Sequence, residues 1–183
     1  TGETLSLQDT LYGLMLASGN DAAVAIAGEC GGMTAFVGKM NAKAAELGLT
    51  DTHFDNPNGL PSDTHYTTAH ELAKITAAAL KDPVFRQIVS TKSCTVSGHA
   101  LSNHNRLLSM YDGAIGVKTG FTRAAGRCLV SAADRNGRTI IAVTLNDPND
   151  WNDHMEMLDA GFAQYSEVTL HKAGDTIANV RVF

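Results

Sequence analysis

Residues 127–145 read RCLVSAADRNGRTIIAVTL, two apolar runs joined at Asn136-Gly137. That dipeptide is the strongest short-range signal for a two-residue β-hairpin, because both positions tolerate the positive φ that a tight turn between twisted strands requires. The second run is apolar at consecutive positions, as in a strand covered on both faces. In the first, Leu129, Ser131 and Ala133 alternate with Val130 and Ala132. An antiparallel pair buried on two faces needs a layer above and a layer below. The rest of the chain has to supply them.

It supplies helices. Ser6 followed by Asp9 opens one in the manner of a capping box, with Leu7, Leu11, Leu14 and Met15 on one stripe and a break at Ser18-Gly19-Asn20. The segment DAAVAIAGEC (21–30) is almost wholly apolar and reads as a helix buried all round, stopped by Gly31-Gly32. A third helix, TAFVGKMNAKAAELG (34–48), is amphipathic and ends at Gly48. Residues 49–66 are dense in Asn, Asp, Pro and Gly and predict a long ordered loop with a turn at NPNG. Thr68 with Glu71 caps the next helix, which Pro83 separates from a short one running through Val89.

After Ser90 the texture becomes strand-like, in KSCTVSG (92–98), AIGVK (114–118) and the hairpin. A last helix is expected over 150–165, then short strands at EVTL (167–170) and IANVRVF (177–183). Helices first, an antiparallel hairpin late and one closing helix make the fold class α+β, an antiparallel sheet packed by helices with a helical subdomain.

Several classes of function fall away. Fourteen Lys+Arg are scattered among nineteen Asp+Glu, so no basic face is offered and nucleic acid is not an expected partner. No apolar stretch approaches the length of a membrane span. The three cysteines, Cys30, Cys94 and Cys128, lie far apart and are expected as small buried thiols in a helix and two strands. HELAK (70–74) begins like a zinc-binding helix but carries Lys74 where the second ligand belongs. NDPNDWND (146–153) lacks the acid–glycine alternation of a calcium loop, and GECGG (28–32) ends a helix where a phosphate cradle would open one. No metal and no cofactor are expected.

Two triplets remain: Ser18-Gly19-Asn20 at a helix junction, and Lys118-Thr119-Gly120 at the end of a predicted strand. A serine acyl enzyme must move a proton, hold its substrate in register and stabilise an oxyanion. Ser18 can relay a proton to a leaving amine, and the Asn20 amide can grip a peptide group. Lys118 supplies positive charge and Thr119 a hydroxyl for a terminal carboxylate. Gly120 clears a strand edge for an extended peptide, with the backbone N–H of Phe121 as oxyanion donor. The two triplets are expected to converge on one cleft although about 100 residues separate them.

These triplets match the second and third motifs of penicillin-binding proteins and class A β-lactamases. With LSLQDTLYGLMLASGNDAAVAIA, FDNPNGLP, HYTTAHELAKI, NHNRLL and GVKTGFTRAAGRCLVSA, residues 1–170 resemble the serine D-alanyl-D-alanine carboxypeptidases, the low-molecular-mass penicillin-binding proteins. The resemblance implies a β-lactamase/transpeptidase-like domain. Its substrate would be the D-Ala-D-Ala end of peptidoglycan stem peptides, its inhibitors β-lactams, and its location outside the cytoplasmic membrane of a bacterium.

The first motif, Ser-x-x-Lys, is missing: none of the ten serines has a lysine three residues on. That spacing puts both groups on one helical face, where the amine can deprotonate the hydroxyl. The chain is therefore expected to begin inside the domain, to be inactive alone, and to self-associate through an unpaired sheet edge and an uncovered helix at 21–30. Residues 171–183 are expected to be the domain end or the start of a linker to a β-rich region. Two other readings are a non-catalytic cell-wall peptide-binding module and one half of a split enzyme.

Overall fold

The computed structural model describes residues 2–164, 168, 170, 171 and 174–178. Five helices come first: α1 (Leu7–Ala17), α2 (Asn20–Glu29), α3 (Met33–Glu46), α4 (Ala69–Ala79) and α5 (Pro83–Ser90). A small hairpin follows, β1 (Ser93–Val96) with β2 (His99–Ser102), then the short α6 (Leu107–Met110). The main sheet, β3 (Ala114–Thr122), β4 (Gly126–Arg135) and β5 (Arg138–Thr144), precedes α7 (Asp150–Gln164). It is antiparallel in the order β3-β4-β5.

The local signals act where they were expected. Ser6 accepts from the Asp9 N–H and Thr68 from the Glu71 N–H, each satisfying an amide that the helix itself leaves unpaired. Asn136 and Gly137 take φ 56 and 78, and the register closes at Arg135↔Arg138. Ser97-Gly98 makes the same kind of turn, with φ 47 and 80, so HALS becomes a second strand that the sequence reading lacked. In the 49–66 loop, Glu71 accepts from the Thr50 and Asp51 amides and the Thr52 hydroxyl. Burial raises its pKa, but these bonds outweigh it, and the carboxyl stays below its ordinary range.

β4 lies between two apolar layers. On one side Leu129 and Ala133 pack with Leu107, Tyr111, Ala142 and Leu158, which brings α6 and α7 onto the sheet. On the other, Ala132 packs with Val89 and Val117, joined by Met15, Leu80, Phe85 and Val130. A third cluster of Tyr12, Leu16 and Ile88 seats α1 against α5 and the small hairpin. Adjacent residues of α5, Ile88 and Val89, thus serve two cores. A fully buried leucine such as Leu158 contributes about 1.5–3 kcal/mol.

Four expectations need correction. α2 is not buried all round: only Ala23 and Ala27 are buried, and Val24 is 43% exposed, because its small alanines pack along one stripe. The cysteines are free but half-buried rather than buried. β3 runs on through Thr122, so Lys118-Thr119-Gly120 sits inside the strand, paired with Val130, Leu129 and Cys128. The strands expected at 167–170 and 177–183 fall largely outside the described residues, and Val168, Leu170, Ile177 and Ala178 are not in strand.

The buried Ser131 on β4 is matched by His154 on α7, itself fully buried, whose Nδ1 lies 2.6 Å from Ser131 Oγ and whose Nε2 lies 3.0 Å from Thr144 Oγ1. Burial lowers its pKa to about 4. An unfolded histidine titrates near ~6.5, so the unfolded chain binds the extra proton between these values. Stability from this site is complete above that window and is lost as the pH falls through it. His154→Gln is expected to flatten the wild-type dependence of Tm on pH between these two values, measured by thermal melts; an unchanged slope refutes the assignment.

Candidate active site

The Ser18-Gly19-Asn20 corner is built by the ends of two helices. Ser18 caps α1 in the left-handed region, φ 56, and its N–H donates to Gly13 O. A left-handed residue with a Cβ costs about 1–2 kcal/mol, a cost that glycine avoids. Gly19 caps α2, and a Cβ there would meet the Ala22 Cβ at 3.2 Å and Gly13 O at 3.3 Å. Glycine therefore lets the two helices meet closely, and the corner holds the Ser18 hydroxyl out from the helix ends. Asn20 opens α2 with an exposed side chain that makes no hydrogen bond among the described residues.

Facing Ser18 is Lys118 of β3, whose Nζ donates to Ser18 Oγ and, at 2.7 Å, to its neighbour's carbonyl, Thr119 O. No carboxylate partners it among the described residues. Burial lowers its pKa to about 8. At mildly alkaline pH such an amine gives or takes a proton readily, and among the described residues its side-chain partner is a hydroxyl.

The rest of the motif lies along a sheet edge. β3 is the terminal strand of its sheet, so one side of it carries no strand among the described residues. Gly120 is exposed, and a Cβ on it would meet the Cys128 Cβ at an ordinary 3.8 Å. Packing within the chain therefore does not demand glycine here, whereas close approach of another backbone would. Thr119 is half-buried with its hydroxyl unpaired among the described residues, and Phe121 is 71% exposed. The structure thus joins Ser18 directly to Lys118, and nearby in the chain it leaves Asn20, Gly120 and Phe121 open to solvent and Thr119 half-buried. It also brings in His104, which the sequence reading gave no role: its N–H donates to Leu16 O at 3.2 Å, at the same end of α1.

Comparison with known proteins identifies the family. The sequence model of a family described as D-alanyl-D-alanine carboxypeptidase matches residues 1–149. The D-alanyl-D-alanine carboxypeptidase of Streptomyces sp. strain K15 is 40% identical over 182 residues, covering 88% of this chain and 62% of that protein. DacF of Bacillus subtilis is 38% identical over 190 residues, covering 99% of this chain and 49% of that protein. The crystal structure of the Streptomyces K15 DD-transpeptidase superposes with a TM-score of 0.81 at 41% identity, over 85% of this chain and 67% of that one. A penicillin-binding protein homologue from Mycobacterium tuberculosis, Rv2911, gives 0.84 at 38% identity, over 92% and 69%. The chain thus spans between 49% and 62% of the length of these curated relatives.

Lys118 carries a stability consequence. Folded, it loses its proton near pH 8; unfolded, only near ~10.4. Between these values the unfolded chain binds more protons, so stability rises with pH there, and at neutral pH the half-buried charge is a net burden. Lys118→Met is expected to melt higher than wild type at pH 7, with the gain shrinking as pH rises through that window. A lower Tm at pH 7 would show that the Ser18 contact outweighs the burial of the charge.

Proposed function

The chain belongs to the D-alanyl-D-alanine carboxypeptidase family, and from that premise we propose that it carries the peptide-gripping part of a serine acyl-transfer site for the D-Ala-D-Ala end of peptidoglycan stem peptides. One observation carries the reading: Lys118, half-buried, donates to Ser18, from which 100 residues separate it. Folding alone gives no reason to desolvate an amine against a hydroxyl. A reaction that shuttles a proton does.

In this reading each residue of the two triplets has a role. An extended peptide adds along the open side of β3, with Gly120 leaving room and the Phe121 N–H donating to the carbonyl oxygen that becomes an oxyanion. Lys118 and the Thr119 hydroxyl take the terminal carboxylate, and the Asn20 amide takes a peptide group. As the acyl carbon passes from nitrogen to the attacking oxygen, the leaving nitrogen takes the Ser18 Oγ proton and Lys118 replaces it. The proton given up by the attacking hydroxyl returns to Lys118. The hydroxyl that attacks is not assigned to any of the ten serines, since none has a lysine at helical spacing. β-Lactams would occupy the same strand edge as mimics of the peptide. The site of action is outside the cytoplasmic membrane, where that peptide is found.

The test separates gripping from chemistry. Adding a tripeptide ending in D-Ala-D-Ala to the ¹⁵N-labelled chain is expected to shift the amides of Lys118–Thr122 saturably, and an L-Ala-L-Ala end is not. Peptide binding that leaves the β3 amides unmoved would overturn the reading. The chain alone is expected to release no D-alanine and to keep its intact mass after incubation with benzylpenicillin. A stoichiometric adduct mapped to Ser18 would make that serine the nucleophile instead.

Self-association is a further part of this proposal. The outer edge of β5 carries no strand among the described residues, and Val24 on α2 is 43% exposed. Light scattering after size exclusion is expected to show dimers or larger species, reduced by Val24→Lys. A monomer at every concentration refutes it.

A further inference from the structure

The open end of the small hairpin and α6 border an open cavity of about 370 Å³ at the surface. Pairing explains who lines it. Ser93 faces Ser102 on the last rung of β1–β2, and the Asn103 N–H extends that ladder to Lys92 O at 2.8 Å. The chain then folds back. The Asn105 N–H donates to Asn103 Oδ1 and the Leu107 N–H to Asn105 Oδ1, which starts α6 and brings Arg106 and Ser109 to the opposite wall.

The donors of this wall are unspent. Lys92 and Arg106 have no carboxylate partner among the described residues, and no acidic residue lines the cavity, in a chain of net charge −5. Among the described residues the Arg106 side chain is held by its stacking over Trp151, 6.0 Å from the ring centroid. The hydroxyls of Ser93, Ser102 and Ser109 make no hydrogen bond among the described residues. Asn103 is saturated, its Nδ2 donating to Val89 O and Thr91 O. Asn105 is not: it is 2% exposed, and its Nδ2 is buried with no acceptor. A buried amide left unpaired costs about 1–3 kcal/mol. Two cations, three hydroxyls and one orphaned amide, with every lone proton a donor and no fixed acceptor charge, are the complement of a compact dianion.

We infer that this cavity is a binding site for a phosphate group, separate from the β3 edge and independent of the function proposed for it. Lys92 and Arg106 neutralise the charge, and Asn105 with the serine hydroxyls takes the oxygens. The cavity opens to solvent, which admits either free phosphate or a phosphate monoester.

The test is a titration of the ¹⁵N-labelled 183-residue chain with inorganic phosphate, and separately with glycerol 3-phosphate, at fixed ionic strength. Saturable shifts at the Asn105 side-chain amide and the Arg106 backbone are expected. Tighter binding of glycerol 3-phosphate identifies an esterified ligand, and equal or weaker binding identifies the free ion. The paired change Lys92→Gln with Arg106→Gln is expected to weaken binding about tenfold or more, a difference of ~1.4 kcal/mol. Lys81→Gln, an exposed lysine elsewhere, should leave it unchanged. Asn105→Asp keeps the oxygen that starts α6 but replaces the donor by a charge that repels the ligand, and binding should vanish. Linear, unsaturated shifts would mean a hydrated pocket only. Equal weakening by Lys81→Gln would mean unspecific attraction. Either result overturns the inference.

Discussion

β4 is covered on both faces, and the rest of the molecule is arranged to keep it so. A strand in that position can expose neither side chains nor an unpaired hydroxyl. The small alanines at 132 and 133 accept helices at close range, while Ser131 requires the buried imidazole of His154. One face therefore fixes α7 and the other fixes α5 with α1. Arg127 adds a clamp at the sheet's end, bonding Asp150 through two nitrogens at 2.7–3.1 Å while its guanidinium lies 5.5 Å from the Trp151 ring centroid. The acidic run at 146–153, unsuited to calcium, is the start of a helix tied to a strand.

The site follows from that layering. Because α1 must pack by Met15 and Leu16, its C-terminal corner falls beside β3, the strand next to β4. Ser18 and Lys118 meet there, the amine donating to the hydroxyl. The architecture supplies the proximity, and the close contact between hydroxyl and amine is its product.

Much of this was legible in the chain, for reasons that differ by residue. Asn136-Gly137, Ser6 with Asp9 and Thr68 with Glu71 are signals whose physics is complete within four residues, so they could be read without the fold. The Lys118–Ser18 pairing was legible only because two short motifs were weighed together. β2 and α6 were not legible: each has four residues and no periodicity, and one exists because β1 is beside it, the other because Asn105 supplies a cap. The exposure of α2 was not legible from hydropathy, since an alanine-rich helix can pack along one stripe and leave the remainder exposed. The sequence places Lys118-Thr119-Gly120 at the end of a strand. Here the strand continues through Gly120 to Thr122.

Ser18 sits at a left-handed helix cap, a place where glycine is the more comfortable residue. A serine codon of the AGY type becomes glycine by a single base change. Genetic drift without a purifying pressure on the hydroxyl would therefore have a short path to a sturdier corner and a silent site. Among descendants of this gene, the residue at that one turn is an inexpensive marker of whether the chemistry is still being used, readable from DNA before any protein is made.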